Sequence, residues 1–449
     1  MSQAFGRAAA ARAVLLVTGS SYASLLFGLI TSAAIARAVG PQDFGHYSYV
    51  MWLSGILAVV ANNGLTSTGL RFISENLGKG DPLAASNVHG WLLRRQYVTL
   101  AIAALGFLLT AHLTLPIDWK LPVGVFVVVV LVSVIAKARA VFEVSAAKGH
   151  GQFSVDAVAS TLMSALSLVL ALGLFFMDAP ALAYLALFAL ANIVYYVIAR
   201  HMTKSRGIAP TFNALDNESR RRISVHLVWT IVLTLAATFG NKASETYLLS
   251  KYVGAAEVGF FAIATAFTRG GVEMLAVGLN AVLMPLMAHG FGQGGTARVH
   301  AIFSNSVRLF TFGGLLLAGV GFMWADVVVS LMYGHQYRDA TNVLRVLIVV
   351  AGVTLSQSAF GALLSTTDNQ RARAGVAIAS VLVSATTAFI LVPKLGLQGA
   401  VISSAVSSLL IYLAVCVGIV NVMSVKLPWR ELSRLALAAA LASALAGTL

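Results

Sequence analysis

A series of apolar segments, each long enough to cross a bilayer, limits this chain more than any other feature. At about 20 residues per helical span, twelve such segments stand near 13–36, 47–70, 96–116, 121–141, 157–177, 180–199, 225–249, 258–288, 305–325, 342–365, 374–393 and 398–420. A weaker thirteenth runs from Leu435 to Leu449. Apolar residues make up 59% of the chain and charged residues 10%, too little polar surface for a water-soluble protein of this length. The expected fold is all-α, a polytopic membrane protein with about 12–13 transmembrane helices.

The net charge of +14 would point to nucleic acid in a soluble protein, so its distribution decides its meaning. With the N-terminus placed in the cytoplasm, the whole excess falls in the loops of one side, as the positive-inside rule requires. The basic balance therefore sets orientation, and no nucleic-acid partner is implied. The run from Ala13 to Ala36 exceeds the 7–15 residues of a signal-peptide core, so it reads as a first span. Cys416 is the single cysteine, which leaves no disulfide framework and no thiol metal site.

Two stretches 214 positions apart repeat one pattern. Arg37-Ala38-Val39-Gly40-Pro41-Gln42-Asp43-Phe44-Gly45-His46-Tyr47 aligns without gaps on Lys251-Tyr252-Val253-Gly254-Ala255-Ala256-Glu257-Val258-Gly259-Phe260-Phe261. Base pairs with base, acid with acid, glycine with glycine and ring with ring. Phe142 to Gln152 matches Phe360 to Gln370 more loosely. Repeated helix bundles that rock around a shared site are a common transporter plan. The polar stretch from Thr203 to Ser224 divides the chain after the sixth span. Six crossings return the chain to its starting side, so the repeats are expected to be parallel and pseudo-symmetric around a central cavity. The expected organisation is a six-helix lobe over 1–200, a cytoplasmic linker over 201–224, a second six-helix lobe over 225–420, and an extension over 421–449.

Ionisable residues inside a span need a partner or a watery cavity. Arg269 and Glu273 stand four apart in the eighth span, on one helical face. They read either as a self-satisfied pair or as a cavity cation for an anionic substrate, with an acid that tunes it or relays protons. Lys242 and Glu245 share a face of the seventh span, and Lys251 follows near the membrane surface. The second span ends in Asn62, Asn63 and Gly64, with Arg71 beyond. Buried amides demand partners or water, so Asn62 and Asn63 are cavity candidates and Arg71 is placed at its cytoplasmic mouth. Arg94, Arg95, Lys137, Arg139 and Arg220 to Arg222 read as cytoplasmic orientation and lipid-contact residues. The alternative for them is capture of a phosphate-bearing lipid. No Walker A loop, G-x-S-x-G elbow or metal-spaced Cys or His cluster occurs. Catalytic residues, metal ligands and cofactors are therefore expected to be none, and the chain is expected not to be an enzyme.

The pattern from Ala36 to Tyr47, then Asn63-Gly64-Leu65 and Arg71, resembles the opening of the polysaccharide and O-antigen flippases of the multidrug, oligosaccharidyl-lipid and polysaccharide exporter superfamily. Leu249 to Gly259, Met284-Pro285 and Val392-Pro393-Lys394-Leu395-Gly396-Leu397-Gln398-Gly399-Ala400 are similar to that family in the second half. The resemblance implies two six-helix lobes and alternating access. It also implies transfer of an undecaprenyl-pyrophosphate-linked oligosaccharide to the outer leaflet of a bacterial inner membrane, for lipopolysaccharide or related glycans. Implied partners are the lipid-linked oligosaccharide, membrane lipids and other polysaccharide assembly proteins. It further implies an Asp where Glu245 stands, and in many members fourteen spans. An ion-coupled multidrug exporter of the same superfamily is the nearest rival, although it would want more buried acids. A membrane glycosyltransferase would need a larger outer loop than this chain carries.

Overall fold

Gly40 and Gly254, the glycines shared by the two copies of the repeat, interrupt their helices in a similar way. The computed structural model describes residues 7–240, 243–366, 370–423 and Arg434, and in it Gly40 has φ 78 and ψ 172 while Gly254 has φ 157 and ψ 170. Both lie in backbone space that is essentially reserved for glycine. Within the first helix, α1 (Arg7–Asn62), the chain turns at Gly40, and helix resumes through Pro41, whose missing N–H costs nothing at a helix start. The second copy leaves α8 (Ala243–Tyr252) at Gly254 and begins α9 (Ala255–Thr268).

The other helices of the first half are α2 (Leu65–Gly78), α3 (Pro82–Thr114), α4 (Val123–Gly149), α5 (Ser154–Phe176), α6 (Ala181–Ser205) and α7 (Asn217–Phe239). After α9, a π turn covers Arg269–Glu273. It is followed by α10 (Met274–Tyr333), α11 (Asp339–Thr354), α12 (Gln357–Thr366) and α13 (Gln370–Met423). The last is interrupted at Gly396 (φ 59, ψ −132), three residues after Pro393. Among the described residues the structure is helical and no strand occurs.

By length and composition, nine described helices qualify as membrane spans. Those within α1 and α13 each hold two of the expected crossings, joined at Gly40 and Gly396. The expected segment 225–249 divides between α7 and α8, and the segment 258–288 runs through α9, the π turn and the start of α10. The thirteenth segment, Leu435 to Leu449, lies outside the described residues. Large apolar side chains such as Leu109, Val169 and Phe176 face outward with 65–80% of their surface exposed, which suits lipid and not water.

The chain forms two compact units, Met1–Thr238 and Phe239–Leu449. In the first, α2, α3, α4 and α7 share a core of Leu65, Phe72, Ile73, Val88, Leu92, Phe142, Ile223 and Leu227. The expected linker over 201–224 contains the end of α6, an irregular stretch over 206–216 and the first turns of α7. That stretch is pinned to α3. Thr211 N–H donates to Ser86 O at 3.0 Å, and Gly90 lets the backbone at Thr211 approach so closely that a Cβ would strike its carbonyl oxygen. In the second unit, Gly314 of α10 and Gly352 of α11 meet backbone to backbone in the same way, as small residues permit between membrane helices.

Candidate functional site

The first unit buries a connected polar network. Arg139 on α4 has 4% of its surface exposed and Glu143, one turn later, 1%. Arg139 Nη2 donates to Glu143 Oε1 at 3.1 Å, and Arg200 Nη1 on α6 donates to the same oxygen at 2.7 Å. Arg139 Nη1 donates to Gln96 Oε1 at 2.5 Å, and Gln96 Nε2 donates to Asn62 Oδ1 at 2.8 Å and Ala138 O at 2.9 Å. Asn62 Nδ2 completes the chain with Ala138 O at 3.2 Å. The rings of Tyr97, Tyr196 and Phe142 lie 4.8, 5.7 and 6.0 Å from the Arg139 guanidinium, close enough for cation–π attraction. Four helices, α1, α3, α4 and α6, are thus tied by charge and amide groups that lipid could not solvate. Two guanidiniums against one carboxylate leave the cluster formally positive.

Arg139 corrects the sequence reading, which assigned it to cytoplasmic anchoring and lipid contact. The structure buries it because α4 turns that face toward α3 and α6. The i,i+4 spacing of Arg139 and Glu143 was the available signal, since such a pair shares a helical face. Gln96 and Arg200 carried no sequence signal of their own, because their partners lie 43 and 57 positions away. His89, fully buried on α3, lies 5.8 Å from the Phe142 ring at a 42° tilt, and neither ring nitrogen has a hydrogen-bond partner among the described residues.

Asn62 therefore has its amide satisfied inside the first unit. Asn63 (φ 45) and Gly64 (φ 75) take left-handed conformations in succession and turn the chain into α2. Asn and Gly tolerate that region best. Asn63 Oδ1 is buried with no hydrogen-bond partner among the described residues. Arg71, exposed on α2, hydrogen-bonds His226 Nδ1 of α7 at 2.9 Å. One turn further, Glu75 pairs with Lys79 at 2.7 Å and with Arg222 of α7 through both carboxylate oxygens, at 2.5 and 3.0 Å. The Arg222 hydrogen bond foremost, then Lys79, pulls the Glu75 carboxyl down to about 2.

Among the described residues, one carboxylate of the second unit is buried. Glu245 on α8 is fully enclosed and accepts from Ser403 Oγ at 3.0 Å and Ser384 Oγ at 3.3 Å. Thr387 Oγ1 lies 2.9 Å from Ser403 Oγ. Ser384 and Ser403 stand on opposite sides of the break in α13, so the Pro393–Gly396 bend is what brings both hydroxyls to one carboxylate. Arg269 is exposed and opens the π turn, where Met274 N–H reaches back five residues to its carbonyl. π turns are frequent at functional sites of helices. Lys242 lies outside the described residues, as does the side chain of Glu273, so their pairings rest on the sequence alone.

The sequence model of one family, described as polysaccharide biosynthesis protein, matches residues 10–291, more than half of the chain. The chain belongs to the polysaccharide biosynthesis protein family. The stretch matched to that family takes in the whole Arg139–Glu143–Arg200 network as well as Glu245 and Arg269. Among curated protein sequences none matches. Solved structures share the fold at low identity. An inward-facing multidrug resistance MATE family transporter of the MOP superfamily has a TM-score of 0.75 at 15% identity, covering 90% of this chain and 95% of that one. The lipid II flippase MurJ in an inward closed conformation has a TM-score of 0.75 at 11% identity, covering 96% and 92%. The Vibrio cholerae MATE transporter VcmN follows at 0.63 and 17% identity, covering 93% and 97%. This polysaccharide biosynthesis protein thus has the all-α fold of the MOP-superfamily transporters.

Proposed function

We propose that the chain is a flippase that moves an undecaprenyl-pyrophosphate-linked oligosaccharide from the cytoplasmic to the outer leaflet of a bacterial inner membrane, by alternating access, for O-antigen or related surface polysaccharide. One observation carries the reading: a polysaccharide biosynthesis family match over residues 10–291, on a fold that a lipid II flippase shares over nearly the whole chain. No covalent chemistry is assigned. The N-terminus is cytoplasmic, where the positive-inside excess puts it, and the two lobes, with α7 packed on the first, are the moving parts.

Arg269, with Lys242 and Arg71, meets the negatively charged substrate, and Asn63, whose Oδ1 has no hydrogen-bond partner among the described residues, is a further cavity residue. Asn62 orders the network that backs it. Glu245, which accepts from Ser384 and Ser403, and Glu273 are the coupling acids. Other polysaccharide assembly proteins receive the product.

A second reading, ion-coupled export of organic cations, is favoured by the MATE transporter that reaches the same TM-score. A deletion strain separates the two. Loss of surface glycan with lipid-linked precursor held in the cytoplasmic leaflet supports flipping. Normal glycan with increased sensitivity to cationic drugs supports the exporter and overturns the flippase.

A further inference from the structure

The first unit carries a pocket of about 330 Å³ that the network does not use, walled by Trp91, Arg94 and Arg95 of α3, Phe212 and Asn213 of the 206–216 stretch, and Arg220 of α7. Its lining contains three guanidiniums and no carboxylate. Two of them lie over rings: Arg95 is 3.7 Å from the Trp91 ring centre and Arg94 is 4.9 Å from that of Phe212. Arg94 Nη2 also donates to Phe212 O at 3.2 Å. The rings hold the guanidiniums and strip part of their hydration, and with those faces covered the pocket offers no free platform for a stacked base.

The donors are different. Arg95 Nε is buried with no acceptor among the described residues. Beside the Arg220-Arg221-Arg222 run, Glu75 is committed to Arg222 and Asp216 accepts from Ser219 N–H; Glu218 acts on Arg222, and neither Asp216 nor Glu218 lines the pocket. The wall facing α3 is fixed by the Thr211–Ser86 hydrogen bond and the close approach at Gly90, so the pocket does not depend on a free loop. Guanidiniums present paired N–H donors that match two oxygens of one phosphate, and the volume lies at the lower end of the roughly 300–1,000 Å³ common for small-ligand sites.

We propose that this pocket is a phosphate-binding site, taking the phosphodiester or pyrophosphate headgroup of a membrane lipid between Arg94, Arg95 and Arg220. It goes beyond the flippase reading and survives that reading's failure, because phosphate recognition here needs only residues of the first unit.

The test uses the purified full chain in a neutral detergent, with binding read by thermal shift and titration. Probes are inorganic pyrophosphate, mixed micelles containing phosphatidylglycerol, and micelles of phosphatidylcholine alone. The Arg95→Gln/Arg220→Gln double variant is expected to lose roughly tenfold in affinity for each guanidinium removed. Arg221→Gln, an exposed neighbour outside the lining, is expected to change it less than about twofold. Arg94→Lys keeps the charge but loses the paired donors, and it serves as the readout should the double variant fail to give a monodisperse protein. Saturable binding of pyrophosphate that the pocket variants weaken supports recognition of phosphate as such. Binding of phosphatidylglycerol micelles alone, weakened in the same variants, supports a headgroup presented by its lipid. Absence of saturable binding to either, or equal weakening by Arg221→Gln, overturns the proposal.

Discussion

Arg200 on α6 donates to Glu143 on α4 across 2.7 Å, and the oxygen that accepts it also accepts Arg139. One carboxylate thus closes a bridge between two helices and a buried cation within one of them. Taking such charges out of water costs several kcal/mol per ion, and only the hydrogen bonds between them offset it.

Removing the shared acceptor therefore costs more than removing either outer partner. Glu143→Gln is expected to destabilise the protein by about 3–5 kcal/mol, because Arg139 stays buried without its counter-charge. Arg200→Gln, whose side chain is 44% exposed, is expected to cost about 1 kcal/mol. Fluorescence-detected unfolding in detergent measures both, and equal small losses would show that the bridge does not hold the unit.

Gly40 adopts a conformation that a side chain resists, although no atom stands within 4 Å of the place a Cβ would occupy. The cost of Gly40→Ala is then backbone strain alone, about 1–3 kcal/mol. Gly254→Ala is expected to show strain of the same sign. Unchanged unfolding midpoints in both variants would contradict the break geometry.

Gly314 and Gly352 present the opposite case, in which space is the limit. A Cβ on either meets the other's carbonyl oxygen, so Gly352→Ala is expected to force α10 and α11 apart at about 1–3 kcal/mol. A cysteine-free variant with spin labels on the two helices would register the added separation, and an unchanged distance would remove the argument.

The Glu75 pair with Arg222 gives a pH dependence of definite sign. Its carboxyl is lowered from 4.5 to about 2, so the stabilising contribution is complete above 4.5 and is lost as pH falls toward 2. Wild type is expected to exceed Glu75→Gln in unfolding midpoint at pH 5–7, with the difference shrinking to nothing near pH 2. A difference that grew on acidification would reverse the assignment.

Arg269→Ala is expected to lower glycan export roughly tenfold, the loss of one charge-assisted contact, with protein level and unfolding midpoint unchanged. Glu245→Gln keeps the shape of the buried acid and is expected to lower export while leaving the Ser384 and Ser403 hydroxyls in place. Normal export at normal protein level in either variant takes that residue out of the mechanism.

The sequence by itself determined the membrane class, the apolar segments and the glycines that the repeat shares. Hydropathy is a property of each segment, and the tolerance of Gly40, Gly254 and Gly396 for unusual backbone angles is a property of each residue. Asn62 was legible as an amide in need of a partner, but its partner was not: Gln96 lies 34 positions away. Only the tertiary structure decided that Arg139 turns inward, that α7 packs on α2 within the first unit, and that the bend in α13 gathers Ser384 and Ser403 on Glu245. These outcomes depend on which face of one helix meets which face of another. That is set by packing and hydrogen bonding summed over contacts far apart in the chain, and no local property of the sequence carries it.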